Sequence, residues 1–217
     1  MIKKRLVVMV LLAAVAGLGF AQVQGFTIGA RIIGVIPFYS SGSDIYNSTG
    51  GRSANLEGKF GFGFAGQASY NFSDLLGAQV EIIYNSDDIK TNVLRYDVLG
   101  YTGGTVKASS LLIPVLFRVG TTLNRGVQLT GIGGIYFTVP LGDAEVNDGY
   151  YKEKVDWNGS IGAMLGGIVG YRVGPGSIFA DVRYAFDFSD VKINSYKYLK
   201  KSGIHIGLGY SIPIGSN

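Results

Sequence analysis

The chain contains one histidine, His205, and no cysteine, which narrows the chemistry its side chains can perform. A nucleophile triad or an imidazole-bound metal would have to be built around that single ring. His205 stands in GIHIGLGYSIPI, out of phase with the apolar residues around it, so a hydrogen-bonded interior residue is expected. The competing chemistry is acyl transfer, with an Asp and a Ser supplied by loops. The segment Asp143–Lys154, DAEVNDGYYKEK, has the look of a calcium loop, but Gly149 falls one position late. Lys154 also occupies the place of the bidentate Glu, so the segment reads as a solvated loop. Gly131-Ile132-Gly133-Gly134 falls within a strand-like run and not between a strand and a helix, so it cradles no phosphate. No catalytic, cofactor or metal residue is assigned, and a non-enzymatic protein is expected.

The charged residues form a more coherent set. Arg31, Arg118, Arg172, Arg183, Glu81, Asp181, Asp187 and His205 each occupy the polar phase of an alternating run. Closing such runs into a narrow barrel would direct all eight side chains into one lumen. Unpaired charge there is costly, so a network is expected. Asp181 should accept from Arg172 or Arg183, and Glu81 from Arg118. A side-chain plug is the structural expectation, and a gated narrow pore is its functional competitor.

Eight alternating segments have to position these residues. In SIFADVRYAFDF the residues Ile178, Ala180, Val182, Tyr184, Phe186 and Phe188 share one face, and Phe179, Asp181, Arg183, Ala185 and Asp187 share the other. A period of two over this length makes a strand with an oily face and a polar face. Gly174-Pro175-Gly176 joins it to the preceding run as a hairpin. The remaining segments are Phe26–Phe38, Phe60–Phe72, Ala78–Tyr84, Leu111–Gly120, Val127–Val139 and Gly203–Ile214. Each is on the order of ten residues, the length a tilted strand needs to cross a bilayer. Pro114 removes a ladder donor from the fourth segment, where a bulge or bend is expected.

Short turns alternate with long polar loops, the pattern of an outer-membrane barrel whose short turns face the periplasm. The fold expected is therefore all-β, an eight-stranded antiparallel up-and-down transmembrane barrel. A soluble barrel would instead turn its apolar face inward. The N-terminus fits export: Lys3, Lys4 and Arg5 precede the apolar run Leu6–Phe20, with cleavage expected after Ala21. Residues 1–21 are thus read as a signal peptide and 22–217 as the barrel. Without the leader's three basic residues, the 19 Lys and Arg fall to 16 against 15 acids, which leaves no footprint for nucleic acid. Glycine accounts for 34 of 217 residues, beside 14 Tyr and 12 Phe, which suits a narrow lumen and aromatic girdles.

The order LLIPVLFRVG, GGIYFTVPL, WNGSIGAMLGGIVGYRVGPGSIFADVRYAFDFSDV and HIGLGYSIPI resembles the PorT-type outer-membrane β-barrel family. Ile113-Pro114, the spacing Gly162-Gly166-Gly170, and Arg183-Tyr184 carry the likeness, over roughly residues 105–214. The resemblance implies an eight-stranded, OmpA/OmpX-like architecture with structural, adhesive or secretion-accessory roles. It departs from the usual pattern in ending on Ile212-Pro213-Ile214-Gly215-Ser216-Asn217, without a terminal aromatic residue.

The expected location is the outer membrane of a diderm bacterium, reached by Sec export. The expected partners are outer-membrane lipid, periplasmic chaperones and the barrel-assembly machinery during insertion, and a host or envelope surface ligand. Tyr46, Tyr96, Tyr101, Tyr150, Tyr151, Tyr196 and Tyr198 fall in the outer loops, where tyrosine offers large contact area at small entropic cost. Surface interaction or envelope structure through four loops is one function class. Passage of a small or apolar solute, through a narrow pore or a lateral gate, is the other.

Overall fold

The computed structural model describes residues 25–41, 56–73, 75–97, 100–122, 126–147, 152–155, 157–189, 191–193 and 196–214. The expected leader lies outside them. Eight long strands follow one another: β1 (Phe26–Ser41), β2 (Gly61–Asn71), β3 (Leu76–Asp97), β4 (Gly100–Thr122), β5 (Val127–Pro140), β6 (Ile161–Val173), β7 (Gly176–Asp187) and β8 (Tyr196–Ile214). Each pairs antiparallel with the strands before and after it in the chain. The first and last strands pair as well, from Phe26 opposite Ile214 to Ser41 opposite Leu199. The sheet is therefore a closed barrel with no free edge in its wall.

The registers fix its shape. Phe26 faces Tyr70, which faces Ala78, and the row continues through Phe117, Gly133, Leu165, Tyr184 and Ile204. Ile204 faces Ile36, so one circuit returns to β1 ten residues beyond its start. That stagger is about 33 Å along the strand against about 38 Å across eight strand spacings, so the strands tilt by about 40°. A barrel of this size has room inside only for side chains.

The side-chain faces follow the alternation on all eight strands. Phe62 is 72% exposed, Ile32 67% and Val182 58%, whereas Arg183 is 1% exposed. The exposed apolar band includes stacked or edge-on aromatic pairs such as Phe64–Tyr84 and Phe186–Phe188. This inverts a soluble core and fits a lipid surround. The interior is less polar than the charge pattern alone implied. Ile33, Val35, Ile83, Leu112, Leu116, Ile132 and Met164 are buried inside with the ionic residues.

At one end the connections are tight. The Ser73 hydroxyl accepts from the Leu75 and Leu76 amides, and Gly174, at φ 61°, begins the turn into β7. At the other end the long connections include further strands, which polar composition had marked as loops. β3 and β4 run on as a ribbon to Asp97 opposite Gly100. The short strand Leu56–Gly58 flanks this ribbon on β3. The hairpin Ala144–Asn147 with Lys152–Val155 flanks it on β4. The segment read as a solvated loop is thus largely a hairpin.

Pro114 produces no bulge. The β4–β5 register runs unbroken past it, and the β3–β4 pairing stops after Val80–Val115 and resumes in the same register at Ile83–Leu112. Proline has no amide proton to give, so the ladder is interrupted and not shifted.

Candidate functional site

Four charged side chains meet inside the barrel. Arg31 Nη1 donates to Asp181 Oδ1 at 2.6 Å, and Arg31 Nη2 to Glu81 Oε2 at 2.9 Å. Arg183 Nε donates to Asp181 Oδ1 and Arg183 Nη1 to Glu81 Oε1, both at 2.8 Å. Gln79 Nε2 also donates to Glu81 Oε1. All four charged side chains have zero exposure.

The strands explain the convergence. β7 and β3 are four strands apart in either direction, so the Arg183–Glu81 pair spans the full width of the barrel. Arg31 comes from β1, midway between them, and joins both carboxylates. The cluster therefore braces the lumen across three strands and straddles the β1–β8 seam. Two guanidinium groups facing two carboxylates leave it formally neutral, the condition under which buried charge is tolerable.

Glycine makes the room. A Cβ at Gly207 on β8 would lie 2.4 Å from Asp181 Oδ2 and 2.8 Å from Arg31 Nη1. One at Gly166 on β6 would lie 2.8 Å from Arg183 Cγ. These two contributors are visible in the sequence only as inward-phase glycines on strands neighbouring β7.

The remaining expected members of the network take other places. Asp187 accepts from the Tyr136 hydroxyl toward the long-loop end. His205 is 2% exposed and faces Arg183 on β7 and Val35 on β1. Its ring is thus buried on the inner face, where the alternation placed it.

Arg118 does not pair with Glu81. Its register partner on β3 is Gly77, four residues nearer the short turn, on the order of 13 Å along the strand. Arg172 faces Ser177 beside the Gly174 turn, whereas Asp181 faces Ile168. Both arginines line the mouth at the short-turn end. Among the described residues no group of three or more His, Asp or Glu is placed to hold a metal.

Of the seven loop tyrosines, Tyr46, Tyr150 and Tyr151 lie outside the described residues. Tyr96 and Tyr101 face each other in the β3–β4 ribbon, and Tyr196 and Tyr198 belong to β8.

A closed, lipid-faced antiparallel barrel with buried ions bracing its lumen defines an integral outer-membrane β-barrel protein. The family described as outer membrane protein beta-barrel domain matches residues 20–193, and the chain belongs to it. Its place is the outer membrane. Among solved structures the chain is similar to the outer membrane protein OprG from Pseudomonas aeruginosa, at TM-score 0.53 and 15% identity, covering 87% of this chain and 96% of that one. It is also similar to Neisserial surface protein A (NspA), at TM-score 0.51 and 17% identity, with 88% and 98% covered. A third similar structure is the outer membrane protein AlkL, at TM-score 0.53 and 14% identity, with 91% and 94% covered. These likenesses concern the fold. No curated protein matches the sequence.

Proposed function

We propose that the protein is a non-enzymatic display barrel, whose plugged lumen anchors outward ribbons and loops for surface interaction or envelope structure. The observation that carries this reading is the Arg183–Glu81 pair, which crosses the barrel width with zero exposure. A conducting pore would have to break it and strand charge in a narrow space. Outside, the widened sheet built on β3 and β4 offers a platform for contacts with a host or envelope ligand. The wall is surrounded by lipid, and insertion relies on periplasmic chaperones and the assembly machinery. Within the family, Ile113-Pro114, Gly162-Gly166-Gly170 and Arg183-Tyr184 support a PorT-type subgroup.

Conductance of the purified protein in planar bilayers or liposomes tests the plug. The expected outcome is no steady current in the parent protein. Steady single-channel conductance would sink the plug and favour the pore.

Lateral transfer of an apolar solute has one observation in its favour, the interrupted ladder between Glu81–Ile82 and Ile113–Pro114. If that gap is a gate, Pro114→Ala should slow entry of an apolar dye into loaded liposomes. An unchanged entry rate leaves the gate without support.

A further inference from the structure

We propose that the short-turn mouth of the barrel is a binding site for a small organic oxyanion, a carboxylate or phosphate compound dissolved in the periplasm. The mouth holds a cavity of about 310 Å³ inside the ring of strands, lined by β1, β2 and β4 to β8. Arg118 and Arg172 both line it, and among the described residues no Asp or Glu does. The carboxylates deeper in the lumen, Glu81 and Asp181, are already held by Arg31 and Arg183.

Arg118 enters half-buried from β4, and its Nε has no hydrogen-bond partner among the described residues. Its facing residues across the two ladders are Gly77 and Ile132, neither of which can compensate a charge. Glu81 acts on Arg118 only from a distance, its oxygens being bonded to Arg31 and Arg183. A half-buried guanidinium with no carboxylate bonded to it among the described residues is unfavourable, and an oxyanion that accepts from its fork removes that penalty. Gln67, Ser69, Gln128, Thr130 and Ser177 surround the cavity with neutral polar groups suited to the remainder of a polar solute.

Arg172 plays a different part. It is exposed at the rim beside the turn, where its charge raises the local anion concentration but is screened by salt. The volume exceeds what an inorganic ion needs and reaches the lower bound for small-molecule sites. The position inside the strand ring favours a dissolved solute, because a lipid headgroup would have to leave its leaflet to enter.

Calorimetric titration of the refolded full barrel in detergent micelles tests the assignment, with citrate and inorganic phosphate as probes. Saturable one-to-one citrate binding is expected, with phosphate weaker. Arg118→Gln should weaken citrate binding by roughly tenfold or more, the scale of a lost hydrogen bond to a charged group. Arg118→Lys should retain part of it. Ser177→Glu, a rim change that leaves Arg118 in place, should weaken binding to a similar degree and covers the case in which Arg118→Gln fails to fold. Arg172→Gln should matter more in 20 mM than in 150 mM NaCl.

Non-saturating heats, or equal affinity in the parent, Arg118→Gln and Ser177→Glu proteins, would overturn the site. A second arm compares nanodiscs of phosphatidylglycerol and phosphatidylcholine. Citrate binding unchanged between the two supports a dissolved ligand. Loss of citrate binding in phosphatidylglycerol alone would make the headgroup the occupant and overturn the solute assignment.

Discussion

Gly207 gives the ion cluster the room it occupies. The space that a methyl group would take there is occupied by Asp181 Oδ2 and Arg31 Nη1. Gly207→Ala should therefore destabilise the barrel by about 1–3 kcal/mol, the usual cost of overpacking. Urea unfolding in micelles measures this, and an unchanged midpoint would mean the cluster can move aside. Removing a carboxylate acts through charge. Glu81→Gln leaves Arg31 and Arg183 sharing one anion, and Asp181→Asn does the same from the other side. Each should cost about 3–5 kcal/mol, read as lowered thermal midpoints, whereas parental midpoints would indicate a wet, unpaired lumen. The inward placement of Arg31, Glu81, Asp181 and Arg183 was legible in the sequence, because a period of two assigns faces without knowledge of neighbours. Of their pairings only Asp181 with Arg183 was, two residues apart on one face of β7, where Arg183 Nε donates to Asp181 Oδ1. The pairings across strands were not. Pairing depends on where each residue falls along the strand once the barrel is staggered, and that separates Arg118 from Glu81 and Arg172 from Asp181.

At the scale of the strand, alternation sorts side chains between lipid and lumen, and β7 is the clearest case. Val182, on its outer face, meets hydrocarbon. Val182→Arg should block insertion, since arginine near the bilayer midplane costs roughly 2–4 kcal/mol. Thr130→Ser on the lumen side of β5 should be mild. A heat-modifiable gel shift after refolding into vesicles compares them, and equal insertion would overturn the assignment of faces. The strands beyond the membrane were not legible. The ribbon carrying Tyr96 opposite Tyr101 has only a short apolar alternation, with Val106 and Ala108 buried about an exposed Lys107, and its strands are paired with each other and with the Ala144–Asn147 hairpin. Pro114 was legible as a defect, but its effect was not. A continuous register on the β5 side keeps β4 in step, and the pairing on the β3 side lapses at Ile113–Pro114.

For the molecule as a whole, glycine content, aromatic content and the short–long rhythm of connections carried the fold class, because each reflects closure and a bilayer, not any single contact. The β1–β8 pairing sets Phe26 directly beside Ile214, and this has a consequence for the chain's connectivity. Once the ring is closed, the wall has no first or last strand, and the order of its staves does not depend on where the polypeptide starts. A circular permutant that joins the neighbourhoods of Phe26 and Ile214 through a short linker and opens new ends between Gly142 and Asp143, exposed and outside every strand, would keep all eight ladders. It should refold in micelles to the same compact, heat-modifiable form as the parent, since permutation is tolerated where ends are near and new termini avoid bonded backbone. Failure to regain that form, with the linker long enough, would show that β1 and β8 must be laid down last for the barrel to be made.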